Sequence, residues 1–199
     1  MAENIIAENI AAIKKDIPEN VTLVGVTKHR SVEETQAVVD AGVYDLGENK
    51  VQEFLAKVDE VIGPVRWHFI GHLQRNKVKY LMGKVSLIHS VHSVPLLKTI
   101  EKESAKHGLK TNVLIQFNLA KEDSKSGFMA EEYKMVMEEA ENCPHLEVQG
   151  LMCIGPMTKN SDEIHKVFKH LKELYDTIEK EYHGENIKMQ YLSMGMTDD

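Results

Sequence analysis

Hydrophobic residues along the chain follow two periods, one typical of helices and one typical of strands. Near the start, four isoleucines lie at helical spacing: Ile6, Ile10, Ile13 and Ile17. Pro18 is expected to end this helix, and the apolar, β-branched residues 21–27 then predict a strand buried on both faces. Ser31 and Glu34 have the spacing of a capping box, so a second helix is expected to begin there and to end at Gly42.

The same alternation continues to the end of the chain. Six further strands are predicted, over residues 43–46, 65–70, 85–89, 112–117, 146–152 and 187–192. The helices predicted between them cover residues 50–62, 73–82, 130–141 and 162–183, and another begins after Pro95. Strands that alternate with helices in this way are typical of βαβ crossovers and of a parallel sheet.

Two parallel architectures compete, a doubly wound open sheet and a TIM-type (β/α)8 barrel. An open sheet usually carries a glycine-rich phosphate turn after its first strand, but residues 27–30 are Thr-Lys-His-Arg. Polar residues instead follow the strands, where barrels carry their functional groups: Lys28, Asn49, His72, Ser90, Asn118 and Ser193. We therefore predict one barrel domain over residues 1–199, with an extra N-terminal helix. Because seven strands are predicted, the last strand of a closed barrel is expected to be missing from this chain.

Composition and charge exclude several classes of function. The formal net charge of −7 is spread along the chain, and no basic cluster is interleaved with aromatic residues, so nucleic acid is not an expected partner. Neither a membrane span nor a signal peptide is predicted. Cys143 and Cys153 form no CxxC pattern, which argues against disulfides and favours the cytoplasm. The histidines show no metal-binding pair on one helix, so we predict no metal.

Lys28 is the most informative residue, because it places a cation at the end of the apolar residues 21–27. A lysine in such a position pairs with an anion, snorkels to water or loses its charge. A neutral amine is the form that attacks an aldehyde, so one interpretation is a Schiff-base lysine in a desolvated site. The other interpretation is a strand-end lysine that points into solvent, and this stretch alone leaves both open.

Seven motifs follow one another in the order of a known family. They are VGVTK at 24–28, LGENKVQE at 46–53, WHFIGHLQRNK at 67–77, IHSV at 88–91, KSGF at 125–128, GLMCI at 150–154 and LSMGMTDD at 192–199. Together they resemble the YggS/PROSC family of pyridoxal phosphate homeostasis proteins, whose fold is similar to the barrel domain of alanine racemase. The resemblance extends from the first helix to the last residue, and the block at 67–77 is highly specific.

The resemblance implies that Lys28 holds pyridoxal 5′-phosphate as an internal aldimine. It also implies that the phosphate is bound by backbone N–H groups and by the hydroxyl of the turn Ser193-Met194-Gly195. General principles favour that placement, because a glycine-containing turn at a helix start offers N–H donors and barrels commonly bind phosphate after strands 7 and 8. The family's other phosphate ligands, an arginine and a Gly-Thr pair, lie on the eighth strand and are not in this sequence.

Four further residues are candidates for the same cofactor site. The resemblance places Asn49 beside the cofactor ring, although the turn in which Asn49 lies also has the pattern of a helix cap. His72 follows a strand end and is a candidate for the pocket. Met152 and Met194 lie at strand ends and are expected to contact the ring.

For two other residues, the sequence fits a structural role as well as a role in ligand binding. His68 lies between Trp67 and Phe69 in a predicted strand, so it is either a satisfied core histidine or a ligand. Lys125 lies in a predicted loop where it is able to meet a phosphate or a carboxylate. The turn residues around Lys125 explain the same loop without a ligand.

The family resemblance implies a carrier of pyridoxal phosphate rather than a catalyst. Such a protein limits the free reactive aldehyde and passes cofactor to apo-enzymes. The alternative is a racemase-like enzyme that depends on the same cofactor, and two-base racemisation needs an acid/base group on each face of the substrate. In alanine racemases the second group comes from a β-rich domain for which this chain has no room. We therefore expect a monomeric, cytoplasmic carrier that binds neither nucleic acid nor a membrane.

Overall fold

The structure is a computed structural model that describes residues 2–120, 122 and 125–195. The chain divides into two compact units. Unit 1 contains the residues up to Gly71 together with Lys84–Ser86, and unit 2 contains His72–Gly83 and the residues from Leu87 onward. Each unit is a set of parallel strands joined by helices.

Unit 1 begins with a helix and then alternates strands and helices. Its elements are α1 (Ala2–Asp16), β1 (Val24–Val26), α2 (Val32–Asp40), β2 (Asp45–Glu48), α3 (Val51–Lys57) and β3 (Arg66–Phe69). Strand β1 pairs in parallel with β2, and β2 pairs in parallel with β3. The predicted capping box is confirmed, since the Ser31 hydroxyl accepts from Glu34 N and the Glu34 carboxylate accepts from Ser31 N. Gly42, at φ +81°, follows the end of α2.

The prediction of a first strand buried on both faces is wrong. Strand β1 is three residues long, and Val21 lies outside it and is exposed. Val26 is 44% exposed because it is in register with Gly47, which has no side chain to cover it. The second strand also begins two residues later than predicted, at Asp45, which is in register with Val24.

Unit 2 has the same alternation in its described residues. Its elements are β4 (Leu87–Val91), α4 (Val94–His107), β5 (Thr111–Gln116), α5 (Tyr133–Glu141), β6 (Leu146–Ile154), α6 (Ser161–Glu181) and β7 (Ile187–Gly195), with 3₁₀ helices at Arg75–Tyr80 and Ala130–Glu132. The strands pair in parallel in chain order from β4 to β7. The predicted alternation of helices and parallel strands is therefore confirmed within each unit.

Two predictions in unit 2 need correction. The predicted basic helix over residues 73–82 is a 3₁₀ helix over Arg75–Tyr80. The predicted turn Ser193-Met194-Gly195 is extended, because β7 continues through all three residues, in register with Met152, Cys153 and Ile154 of β6. Pairing with a neighbouring strand thus overrides the turn preference of a glycine in this segment.

Each unit has its own apolar core. In unit 1, the rings of Phe54 and Trp67 meet edge to face with centroids 5.6 Å apart, so Trp67 faces helix α3. In unit 2, Met152 is buried against Leu87 and Leu114. No helix among the described residues is long and apolar enough to cross a membrane. That residues 1–199 form one domain, and that they close into a barrel short of its last strand, stay predictions.

A buried polar cluster in unit 1 links β2 and β3. Asp45 accepts hydrogen bonds from Arg66 Nε at 2.7 Å and from His68 Nε2 at 2.9 Å. Burial raises the pKa of Asp45, but the bonds from Arg66 and His68 outweigh burial and hold it below its usual range. Burial also lowers the pKa of His68, against the pull of Asp45. The structure thus favours a satisfied core histidine at His68.

Unit 1 should therefore lose stability on acidification. A group whose pKa is lower in the folded than in the unfolded state stabilises the fold at pH values above its unfolded pKa, which is about 6.5 for histidine. That stabilisation is lost as the pH falls through the pKa of the folded state. We expect the free energy of unfolding of wild type to exceed that of His68→Gln by more at pH 7.5 than at pH 5. Urea unfolding at both values measures this difference.

The matched control is His165→Gln on the exposed side of α6. Because the His165 side chain is exposed, this substitution should change the free energy of unfolding little at either pH value. A His68→Gln difference that is constant with pH would show that His68 titrates as in the unfolded chain.

Candidate functional site

Lys28 lies at the corner of a tight turn that follows β1. Thr27 N donates to Gly47 O at 3.0 Å, which continues the pairing with β2 by one residue. Arg30 N then donates to Thr27 O at 3.1 Å and closes the turn, with Lys28 in its second position. Lys28 is half-buried in this turn.

Asn49 directly follows β2 in the same unit. Its backbone packs against Gly71, since a Cβ built on Gly71 would lie 2.1 Å from Asn49 O. The Asn49 Oδ1 atom is buried and has no hydrogen-bond partner among the described residues. A buried acceptor without a partner is costly, so this atom fits a donor that the described chain does not supply.

The end of β7 carries the predicted phosphate-binding residues of unit 2. Ser193 Oγ lies 2.8 Å from Nδ1 of His89, which comes from β4 and is buried. A Cβ built on Gly195 would meet no atom within 4 Å, and Met194 is partly exposed. The neighbouring Ser90 Oγ is buried without a partner among the described residues. In unit 2, an unsatisfied hydroxyl in β4 and open space at Gly195 in β7 thus accompany the contact between His89 and Ser193.

His72 contacts residues that follow two strands of unit 2. Its ring stacks on His92, with centroids 4.3 Å apart and planes 15° apart, and its Nδ1 lies 3.0 Å from Ser126 Oγ. Burial, and next the charge of His72, lower the pKa of His92. These contacts give His72 a structural role, and its part in a cofactor pocket stays a prediction.

The predicted residues fall into groups. Lys28 and Asn49 belong to unit 1, at the ends of neighbouring strands. Met152 and Ser193 in unit 2 are in register, and Met152 belongs to the apolar core. Lys125 Nζ donates to Gly155 O at 2.6 Å and pairs with Glu122 at 3.0 Å, which supports the interpretation as part of a structural loop.

Sequence reasoning missed a buried ion pair beside the strand ends of unit 1. Lys57 and Glu48 are both buried, with Nζ and Oε1 2.7 Å apart. A signal was present, because Val51, Phe54 and Lys57 lie at helical spacing on one stripe and Glu48 alternates with the buried Leu46. A positive charge in one apolar stripe and a negative charge in the next indicate a buried pair. The contact between His89 and Ser193 was also not predicted.

Thiol and metal chemistry have little support in this structure. Burial raises the pKa of Cys143 to about 11 and that of Cys153 to about 12, so both stay protonated near neutral pH. In the described part of the chain, no group of three or more His, Cys, Asp or Glu side chains could hold a metal ion. The groups at the described strand ends include an amine, an amide, hydroxyls and imidazoles.

The fold and these strand ends place the protein in one class. The family model for the N-terminal domain of alanine racemase matches residues 3–199. Individual relatives identify the family within this class. The pyridoxal phosphate homeostasis protein of Aquifex aeolicus is 40% identical over 178 residues, which cover 89% of this chain and 77% of the relative. That of Helicobacter pylori strain 26695 is 40% identical over 90% of this chain and 78% of the relative. The chain belongs to the YggS/PROSC family of pyridoxal phosphate homeostasis proteins, as its motifs indicated.

Solved structures agree with this membership. PipY of Synechococcus elongatus, solved without pyridoxal phosphate, is 26% identical, with a TM-score of 0.90 over 98% of this chain and 90% of that chain. The same protein solved with pyridoxal phosphate bound gives a TM-score of 0.87. The prediction of an α/β fold like the N-terminal domain of alanine racemase is confirmed.

Gly71 offers a direct test of how Asn49 is positioned. In Gly71→Ala the new methyl group would overlap the Asn49 backbone, so we expect the free energy of unfolding to fall by about 1–3 kcal/mol. Gly195→Ala is the matched control, because its methyl group would meet nothing within 4 Å. Urea unfolding of both variants measures the effect, and equal stability of the two would contradict the close approach.

Proposed function

We propose that this chain binds pyridoxal 5′-phosphate through a Schiff base on Lys28 and acts in vitamin B6 homeostasis as a carrier rather than a catalyst. The observation that carries the proposal is the position of Lys28 after β1, half-buried at the corner of a hydrogen-bonded turn. Its relatives are named pyridoxal phosphate homeostasis proteins, and PipY was solved with this cofactor bound. The bound cofactor supplies a reactive aldehyde to which a lysine amine adds.

The other residues would bind and orient the cofactor. Ser193 is able to donate its hydroxyl to the phosphate, with His89 Nδ1 fixing the orientation of Oγ. Gly195 has no side chain to block an approach to the end of β7. Asn49 would pair its buried amide with the polar edge of the ring. The contact of Met194 with the ring stays a prediction, because Ser193 and Met194 are consecutive in the extended strand β7 and their side chains point to opposite faces. Met152 would support Ser193, because it is in register with Ser193 and belongs to the apolar core.

A carrier needs fewer groups than a racemase. Racemisation requires an acid and a base on opposite faces of the α-carbon, each poised near the working pH. Lys28 could serve one face. Among the tyrosines near strand ends or in the 3₁₀ helix Arg75–Tyr80, Tyr44 and Tyr191 are exposed, and Tyr80 lies beside the ammonium groups of Lys77 and Lys79. None of these positions singles out a second base, which supports the carrier.

Several features of the proposal are independent of the site geometry. Apo-enzymes are proposed as recipients because a carrier must release its cofactor to a protein that uses it. A monomer and a cytoplasmic location are also proposed. The formal net charge of −7 supports the further expectation that nucleic acid is not a partner.

Absorbance spectroscopy with pyridoxal phosphate tests the central claim. We expect wild type to show the visible band of a protonated Schiff base, and borohydride to fix the cofactor on the peptide that contains Lys28. Lys28→Ala should lose both signals, because no amine remains at that position. Lys15→Ala, at an exposed lysine of α1, is the matched control and should keep both.

Two results would overturn the proposal. A band that survives in Lys28→Ala with the label on another lysine would exclude Lys28 as the attachment point. Rapid racemisation of an amino acid by the wild-type protein, lost in Lys28→Ala, would replace the carrier by an enzyme.

A further inference from the structure

The buried ion pair Glu48–Lys57 lies directly behind the turn of Lys28. The Glu48 side chain is fully buried and that of Lys57 is 5% exposed, with Oε1 and Nζ 2.7 Å apart. Desolvating two charges is costly, and a buried pair often contributes no net stability relative to apolar residues of similar size. Such a pair is therefore weak evidence of a purely stabilising role, and its further contacts are informative.

Those contacts all reach Thr27, the residue before Lys28. Lys57 Nζ donates to Thr27 O at 2.6 Å, and the Thr27 hydroxyl donates to Glu48 Oε1 at 2.7 Å. The carbonyl oxygen and the hydroxyl of Thr27 are thus both bonded to the ion pair. Thr27 O is also the acceptor that closes the turn from Arg30 N, so the pair holds the atom on which the turn depends.

The residue after Lys28 is held by the same helix. His29 N donates to Glu53 Oε2 at 2.8 Å, and His29 has a φ of +60°, a left-handed conformation that is unfavourable for a residue with a Cβ. The His29 N–H, the largest influence, and the Lys50 ammonium hold the pKa of Glu53 below its usual range, which keeps this acceptor ionised. Because Glu53 and Lys57 are four residues apart, they lie on one side of α3.

We propose that helix α3 is a positioning element for Lys28: Lys57, with Glu48, fixes the backbone before it, and Glu53 fixes the backbone after it. This inference rests on the proposed function of Lys28. Glu48, Lys57 and Glu53 are positioning residues. Lys57 and Glu53 bond backbone atoms of Thr27 and His29. Glu48 accepts from the Thr27 hydroxyl and pairs with Lys57. With both flanking residues fixed, the lysine side chain starts from one defined point and direction, which reduces the ordering cost of forming its bond to a ligand.

The double variant Glu48→Gln/Lys57→Met tests the inference. It removes both charges together, so no unpaired charge stays buried, and Gln keeps an acceptor for the Thr27 hydroxyl. The donor to Thr27 O is lost. We expect the melting temperature of the cofactor-free protein to change by less than about 4 °C. The dissociation constant for pyridoxal phosphate, read from the visible band, should rise about tenfold or more.

Amide hydrogen exchange gives a readout that does not depend on the cofactor. The N–H groups of His29 and Arg30 should exchange about tenfold faster in the double variant, because the turn opens locally more often. Asp59→Asn/Lys84→Met is the matched control, since it removes an exposed ion pair of the same unit, with Nζ and Oδ2 3.4 Å apart. It should leave both the dissociation constant and the exchange rates unchanged.

If the double variant does not fold, two substitutions of Thr27 test the inference instead, namely Thr27→Val and Thr27→Ser. Thr27→Val removes only the hydroxyl that donates to Glu48, so cofactor binding should weaken, and Thr27→Ser should restore it. Wild-type binding and exchange in the double variant, or equal binding by both Thr27 variants, would overturn the positioning role. If wild type forms no band that depends on Lys28, the proposed function fails, and the exchange rates alone decide whether α3 fixes the turn.

Discussion

Parallel pairing of the strands is the constraint on which each unit depends. Parallel neighbours end at the same edge, so the residues that follow β1 and β2 are brought together whatever their distance in the chain. Side chains alternate along each strand, and one face must supply the apolar surface that packs against the helices. In unit 1 that face carries Leu46, Glu48, Trp67 and Phe69, while Val24 and Val26 lie on the other.

Glu48 is a charged residue on the helix-facing side of β2, and its contacts connect that side to the residue before Lys28. It lies on the helix-facing side, where a carboxylate would be costly alone. Lys57 from α3 neutralises it, and Thr27 supplies a hydroxyl donor. The result is a polar connection through an apolar layer, with a strand end on one side and a helix on the other. An apolar pair could fill the same volume, but it would not fix the direction of the Thr27 carbonyl.

The sequence predicted the elements whose signals are local. The capping box of Ser31 and Glu34 fixed the start of α2 because both partners lie within one turn. The extension of β7 through Ser193–Gly195 was not predictable in this way, since it depends on pairing with Met152, Cys153 and Ile154, which are distant in the chain. The Glu48–Lys57 pair was readable from two stripes, but only if the stripes were assigned to adjacent elements. Lys28 was predicted from one local pattern, and that pattern overstated the burial of β1.

The reactivity of a lysine depends on where its amine is held as well as on how deeply it is buried. Burial alone is a weak account of Lys28, because β1 is short and Val26 beside it is partly exposed. The backbone on both sides is instead fixed by side chains of one helix, through Thr27 O and His29 N. The proposed carrier would have to form its bond to the cofactor reversibly and leave it accessible to a recipient, which a deeply enclosed amine would not allow. A half-exposed lysine on a rigid turn meets both requirements.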